Sequence, residues 1–115
     1  MPFDCLPEQL LTDLVRLKLA RDGIAGHEGW TQHELGLADE PAHCVIGWLL
    51  AATDWDAREA TRLLVDYVYP ALPESAQKQF KGRASAVYHY NDEYYRTQQR
   101  VVRLFDDAIR LAEVA

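Results

Sequence analysis

Asn91, Asp92 and Arg96 bring an amide, a carboxylate and a guanidinium within six positions of one another, among Tyr88, His89, Tyr90, Tyr94 and Tyr95. Such a set can grip a polar ligand through charge-assisted hydrogen bonds. It can equally lock a loop, because Asn and Asp side chains bond nearby backbone and an Arg can bridge carbonyls or a neighbouring Asp. The structural role is the favoured one, with the polar ligand cluster as its rival. Tyrosine offers rigid contact area at low entropic cost and concentrates at binding surfaces. Tyr90, Tyr94 and Tyr95 are therefore candidate partner contacts. Thr97 follows as the natural cap of a final helix, its hydroxyl placed to accept from first-turn N–H groups.

Other reactive residues carry less. His27, His33, His43 and Cys44 fall within eighteen positions, but no pair has the spacing of a zinc site, and adjacent His43 and Cys44 point to different sides of a helix. No metal and no cofactor is expected. Cys44 heads an apolar stretch, where a thiol packs as a small hydrophobe. Cys5 and Cys44, without a CxxC partner, read as reduced thiols. Asp54 and Asp56 flank Trp55, and helix capping accounts for them better than paired catalytic carboxylates. There is no Gly-rich phosphate loop, no GxSxG elbow and no HExxH.

Charge is unevenly spread. Over 22–59 there are eight acidic residues, Asp22, Glu28, Glu34, Asp39, Glu40, Asp54, Asp56 and Glu59, and one basic residue, Arg58. Over 78–110 seven basic residues face four acidic ones. The net charge of −6 opposes direct binding to nucleic acid. The carboxylates either keep the surface solvated or meet a basic partner, and Glu28, Glu34, Asp39, Glu40 and Asp54 are the candidates for the second role.

The elements that must position these residues are helical. A chain of 115 residues forms one domain, 1–115, able to bury a core without disulfides. A first helix is predicted over 7–23, with Pro7 in its first turn and Gly23 at its end. Leu10, Leu11, Leu14, Val15 and Leu17 form its apolar face, with Thr12, Asp13, Arg16 and Arg21 mostly opposite. A long irregular loop over 24–38 follows, broken by Gly26, Gly29 and Gly36, with Trp30 plugging it into the core. A central buried helix begins near Asp39 and Pro41 and carries Cys44, Val45, Ile46, Gly47, Trp48, Leu49 and Leu50. Asp56 caps a third helix whose inward residues are Ala60, Leu63, Leu64, Tyr67 and Val68, ended by Pro70 and Pro73. A short helix over 74–80 precedes a segment over 84–90 that fits a helical turn or an unpaired strand. The last helix covers 98–113, with Val101, Leu104, Phe105, Ala108 and Ala112 inward. The fold class is all-α: a compact bundle of four to five helices with a long irregular loop after the first. The longest apolar run, 44–52, is too short to span a membrane. The N-terminus has no basic and apolar leader pattern, so a cytoplasmic chain is expected.

Trp30 and Gln32, then Cys44 and Gly47, then Asn91, Asp92, Arg96 and Thr97 form a pattern that resembles a family of short uncharacterised bacterial and phage-borne proteins. That family carries a Trp-x-Gln segment after the first helix, a buried Cys-to-Gly turn, and a Trp-Asn-Asp-x-x-x-Arg-Thr motif before the last helix. Here Thr31 stands where Cys is common, Tyr90 where Trp is common, and Tyr95 where Gly is usual. The resemblance implies a small helical fold and no assigned reaction. The expectation that follows is an acidic protein-interaction or regulatory module with a protein partner, in its sharper form a phage- or mobile-element-borne inhibitor of a host defence protein. Catalysis is the less favoured reading; a small ligand binder or enzyme built on Asn91, Asp92 and Arg96 is the alternative.

Overall fold

The structure, a computed structural model, describes residues 7–26, 29–30, 44–79, 82–92 and 97–114. Helix α1 (Pro7–Ala25) packs against α2 (Val45–Ala52) and, antiparallel, against the last helix, α6 (Gln98–Val114). Helix α3 (Ala57–Leu63) runs into a π-helical turn (Leu64–Val68) and a 3₁₀ turn (Tyr69–Ala71). Helices α4 (Glu74–Gln79) and α5 (Arg83–Asp92) lead back to α6. All of this is α-helical bundle, with a radius of gyration of 13.1 Å, close to the about 13 Å of a compact chain near this size.

Local sequence explains the elements. Asp56 caps α3, its Oδ1 accepting from Arg58 N at 3.1 Å and Glu59 N at 3.2 Å. Glu59, the other half of the expected capping box, turns instead to Arg62, whose Nε donates to it at 2.6 Å. Thr97 caps α6 through Arg100 N, 3.3 Å from its Oγ1. Pro70 lacks the N–H a continuing helix needs, and the chain leaves its wide π turn there. The core joins Leu17, Ile24, Val45, Leu49, Leu63, Leu64, Val68, Val87, Val101 and Phe105, all fully buried.

One expectation changes. Gly23 does not end α1; the helix continues to Ala25. Gly23 serves packing instead: the Trp48 ring lies against it and a Cβ there would collide with the ring. The 84–90 segment takes the helical alternative and not the strand: it is part of α5, which also takes in Asn91 and Asp92 as its last turn. Asp54 and Trp55, just before α3, both sit in the left-handed region, at φ 54° and 63°, which residues other than Gly adopt at a cost. Thr53 holds that bend, its buried hydroxyl bonding the carbonyls of Leu49, Leu50 and Asp56.

Candidate functional site

Asn91 is the centre of the tyrosine-rich motif, and it faces inward, 2% exposed. Both ends of its amide are engaged: Oδ1 accepts from Trp30 Nε1 at 2.8 Å, and Nδ2 donates to Asp92 Oδ1 at 2.8 Å. The segment after α1 is thereby pinned to α5. Trp48 Nε1 adds a bond to the Gly29 carbonyl, and Gln98 Nε2, from the start of α6, reaches the carbonyls of Ile24 at 2.6 Å and Gly26 at 2.9 Å. The Ile24 carbonyl belongs to the last turn of α1 and the Gly26 carbonyl lies just past it, so Gln98 caps one helix from another. Trp30 is half-buried against the core, as its plugging role requires. Asn91 thus does not sustain a turn; it lies in the last turn of α5 with its amide engaged inside the fold.

Tyr90, a candidate partner contact, is placed in the core at 8% exposure, because α5 turns it inward with Ala86 and Val87. Tyr88, on the other side of α5, is exposed. Asp54 is exposed, as a surface carboxylate should be. Glu28, Gln32, Glu34, Asp39, Glu40, Tyr94, Tyr95 and Arg96 lie outside the described residues, as do His27, His33, His43 and Cys5. Cys44 is a free thiol at the head of α2. Burial pushes its pKa up, and this outweighs the bonds from the backbone of Gly47 and Ile46 that would lower it. A thiol held in its protonated form is a poor nucleophile.

The sequence reading missed a buried ionic cluster. Asp13, assigned to the outer side of α1, is fully buried. Arg62 clamps it with Nη2 to Oδ1 at 2.7 Å and Nη1 to Oδ2 at 3.1 Å, and Tyr67 OH donates to Oδ2 at 2.7 Å. The bond to Asp13 raises the Arg62 pKa further, with a smaller contribution from Glu59. Both oxygens of the carboxylate are engaged internally, so the cluster joins α1 to α3 and the π turn rather than presenting a reactive group. Tyr67 reaches Asp13 from the π turn, and because Arg62 and Tyr67 lie 49 and 54 positions from Asp13, no linear motif marks the cluster.

The same rotation of α1 decides its surface. Leu10, Leu14, Leu17, Ala20 and Ile24 pack inward, while Leu11, Val15 and Leu19 stand 64%, 57% and 55% exposed. Positions spaced by four form one row on a helix. The result is an apolar stripe on the side away from the core, with Glu8 and Asp22 beyond its ends, both exposed. Lys18 stands beside it, 3.6 Å from Glu113. Leu11 and Val15 were expected inside; the buried Asp13 turns them out.

The chain belongs to DUF6197, a family of unknown function whose profile matches residues 10–111. No curated protein matches the chain. No solved structure matches it.

Proposed function

We propose that this member of the family is a small interaction module that docks a partner protein on the outer face of α1. One observation carries the reading: besides its buried face, α1 carries a row of three apolar side chains, Leu11, Val15 and Leu19, that stand exposed and outside the core formed by the described residues. Exposed single apolar residues are ordinary, but a row of three along a helix is a contact surface of the helix-in-groove or helix-on-helix kind. The occupant is an amphipathic helix with apolar side chains at matching spacing and basic residues toward its ends. Glu8 and Asp22 select those charges, and the chain's net charge of −6 steers a basic partner toward the module.

A second copy of the chain fits poorly. Antiparallel pairing centred on Val15 sets Glu8 against Asp22 of the other copy, and like charges repel. The inhibitor of a host defence protein is the sharper form of this proposal. The alternative, a ligand binder or enzyme, would rest on Asn91, Asp92 and Arg96; the internal use of Asn91 weighs against it.

The test places a photo-crosslinking residue at Val15, and as a control at Arg58, in the intact chain expressed in its own host. A discrete crosslink from position 15, absent from position 58 and lost with Leu11→Ser and Leu19→Ser, is the expected result. Equal labelling from both positions, or a crosslink that survives both serines, overturns the proposal.

A further inference from the structure

A groove of about 520 Å³ opens on the flank of α6, lined by Ala71, Pro73, Tyr90, Arg100, Arg103, Leu104 and Asp107. Its volume falls in the range of small-molecule sites, about 300–1,000 Å³. Arg100, Arg103, Leu104 and Asp107 recur at helical spacing and share one face of α6. That face is distinct from the one turned to α1, where Asp106 meets Arg21 at 2.8 Å and Glu113 meets Lys18.

The chemistry of the lining is divided. Leu104 and Tyr90 are buried and give an apolar floor, with Ala71 and Pro73 as the facing wall. Arg100 and Arg103 are exposed at the rim. Several cations of this acidic chain have carboxylate partners: Arg21 with Asp22 and Asp106, Arg62 with Asp13 and Glu59, Lys78 with Glu74, Arg110 with Asp107. Of the arginines without an ion pair among the described residues, Arg16, Arg58, Arg83, Arg100 and Arg103, the last two line the groove. The one carboxylate in the lining, Asp107, is already held by Arg110 Nη2 at 2.8 Å. Arg100 also lies in the first turn of α6, where the helix dipole favours negative charge.

We infer that this groove binds a small organic oxyanion: one phosphate or carboxylate group taken by Arg100 and Arg103, attached to a flat apolar body laid on Leu104 and Tyr90. Guanidinium forks match both head groups, because each presents two coplanar or near-coplanar oxygens. The apolar floor distinguishes this ligand from a free inorganic anion. The inference is independent of the α1 face and goes beyond the proposed function.

The experiment titrates the ¹⁵N-labelled full chain, at low salt, with phenyl phosphate, phenylacetate and inorganic phosphate. Saturable shifts centred on the amides of Tyr90, Arg100, Arg103 and Leu104 are expected with at least one of the two organic anions. That anion should bind about tenfold more tightly than inorganic phosphate, about 1.4 kcal/mol for the buried ring. Whichever of the two binds more tightly identifies the preferred head group, and either order supports the site. Arg100→Ala with Arg103→Ala should weaken binding at least about tenfold with no loss of fold, since both side chains are exposed and unpaired among the described residues. Asp107→Asn should tighten it by removing the opposing charge. Absence of saturable shifts with both organic anions, binding no tighter than inorganic phosphate, or affinity unchanged in the double alanine variant would each overturn the inference.

Discussion

At the residue scale, the polar groups that looked most chemical are the ones the fold consumes. Asn91 has both amide atoms engaged, with Trp30 and with Asp92. Asn91→Ala leaves the buried Trp30 N–H without its acceptor, and should cost about 1–3 kcal/mol in urea melts. It should also speed hydrogen exchange at Gly29 and Trp30. A variant that melts like the parent would return Asn91 to the ligand-binding reading. Cys44 makes a second case. Burial raises its pKa, so the folded chain keeps the proton where the unfolded chain has lost it. The associated stability is complete below the ordinary thiol value of about 8.5 and is lost as pH rises through the raised, folded value. Urea melts at about pH 7 and about pH 10 should therefore show the parent losing more stability than Cys44→Ala. An equal loss in the two proteins would mean that the thiol is solvated.

Elements are joined here by polar ties as well as by the core. Asp13 on α1, Arg62 on α3 and Tyr67 in the π turn form one buried cluster. Asp13→Ala strands the Tyr67 phenol and leaves Arg62 with Glu59 alone, and should cost about 3 kcal/mol, the lower end for a broken buried pair because Arg62 keeps that partner and some solvent access. Asp13→Leu combined with Arg62→Met removes both charges and should recover most of that loss. If the double variant is as unstable as the single one, the cluster does more than neutralise itself. The apolar side of the same account is Phe105, fully buried on α6. Phe105→Ala should cost about 3–5 kcal/mol, readable as a lower urea midpoint at an unchanged slope.

For the whole molecule, the dominant property is its negative charge, which acts beyond the contact surface. Glu8→Lys with Asp22→Lys should slow association with the α1 partner, and raised salt should slow the parent in the same way, because fields are screened over about 8 Å at physiological ionic strength. Stability should stay within about 0.5 kcal/mol, since both side chains are exposed. Association measured by stopped flow against salt separates the outcomes. A rate indifferent to salt and to both reversals would remove steering from the proposed function, and the apolar stripe would then have to act alone.

Periodicity and punctuation were enough for the helical architecture. The last helix, its Thr97 cap, the Asp56 cap and the inward set from Ala60 to Val68 follow from local chemistry, because capping and amphipathic spacing act within a few residues. The plugging role of Trp30 was legible for a similar reason: a large aromatic in a glycine-rich segment has few other uses. What α1 does with its residues was not legible. Leu10, Leu11, Leu14, Val15 and Leu17 are spread too widely to sit on one buried face, and the choice between the two sides depends on partners far along the chain. Arg62 and Tyr67 draw Asp13 inward, from 49 and 54 positions away. That rotation exposes Leu11, Val15 and Leu19. The place of Trp48 against Gly23, the groove between α6 and the 3₁₀ turn, and the inward turn of Tyr90 have the same origin. Each is a contact between segments distant in sequence, where no local spacing carries the signal and only packing decides which face of a helix is inside.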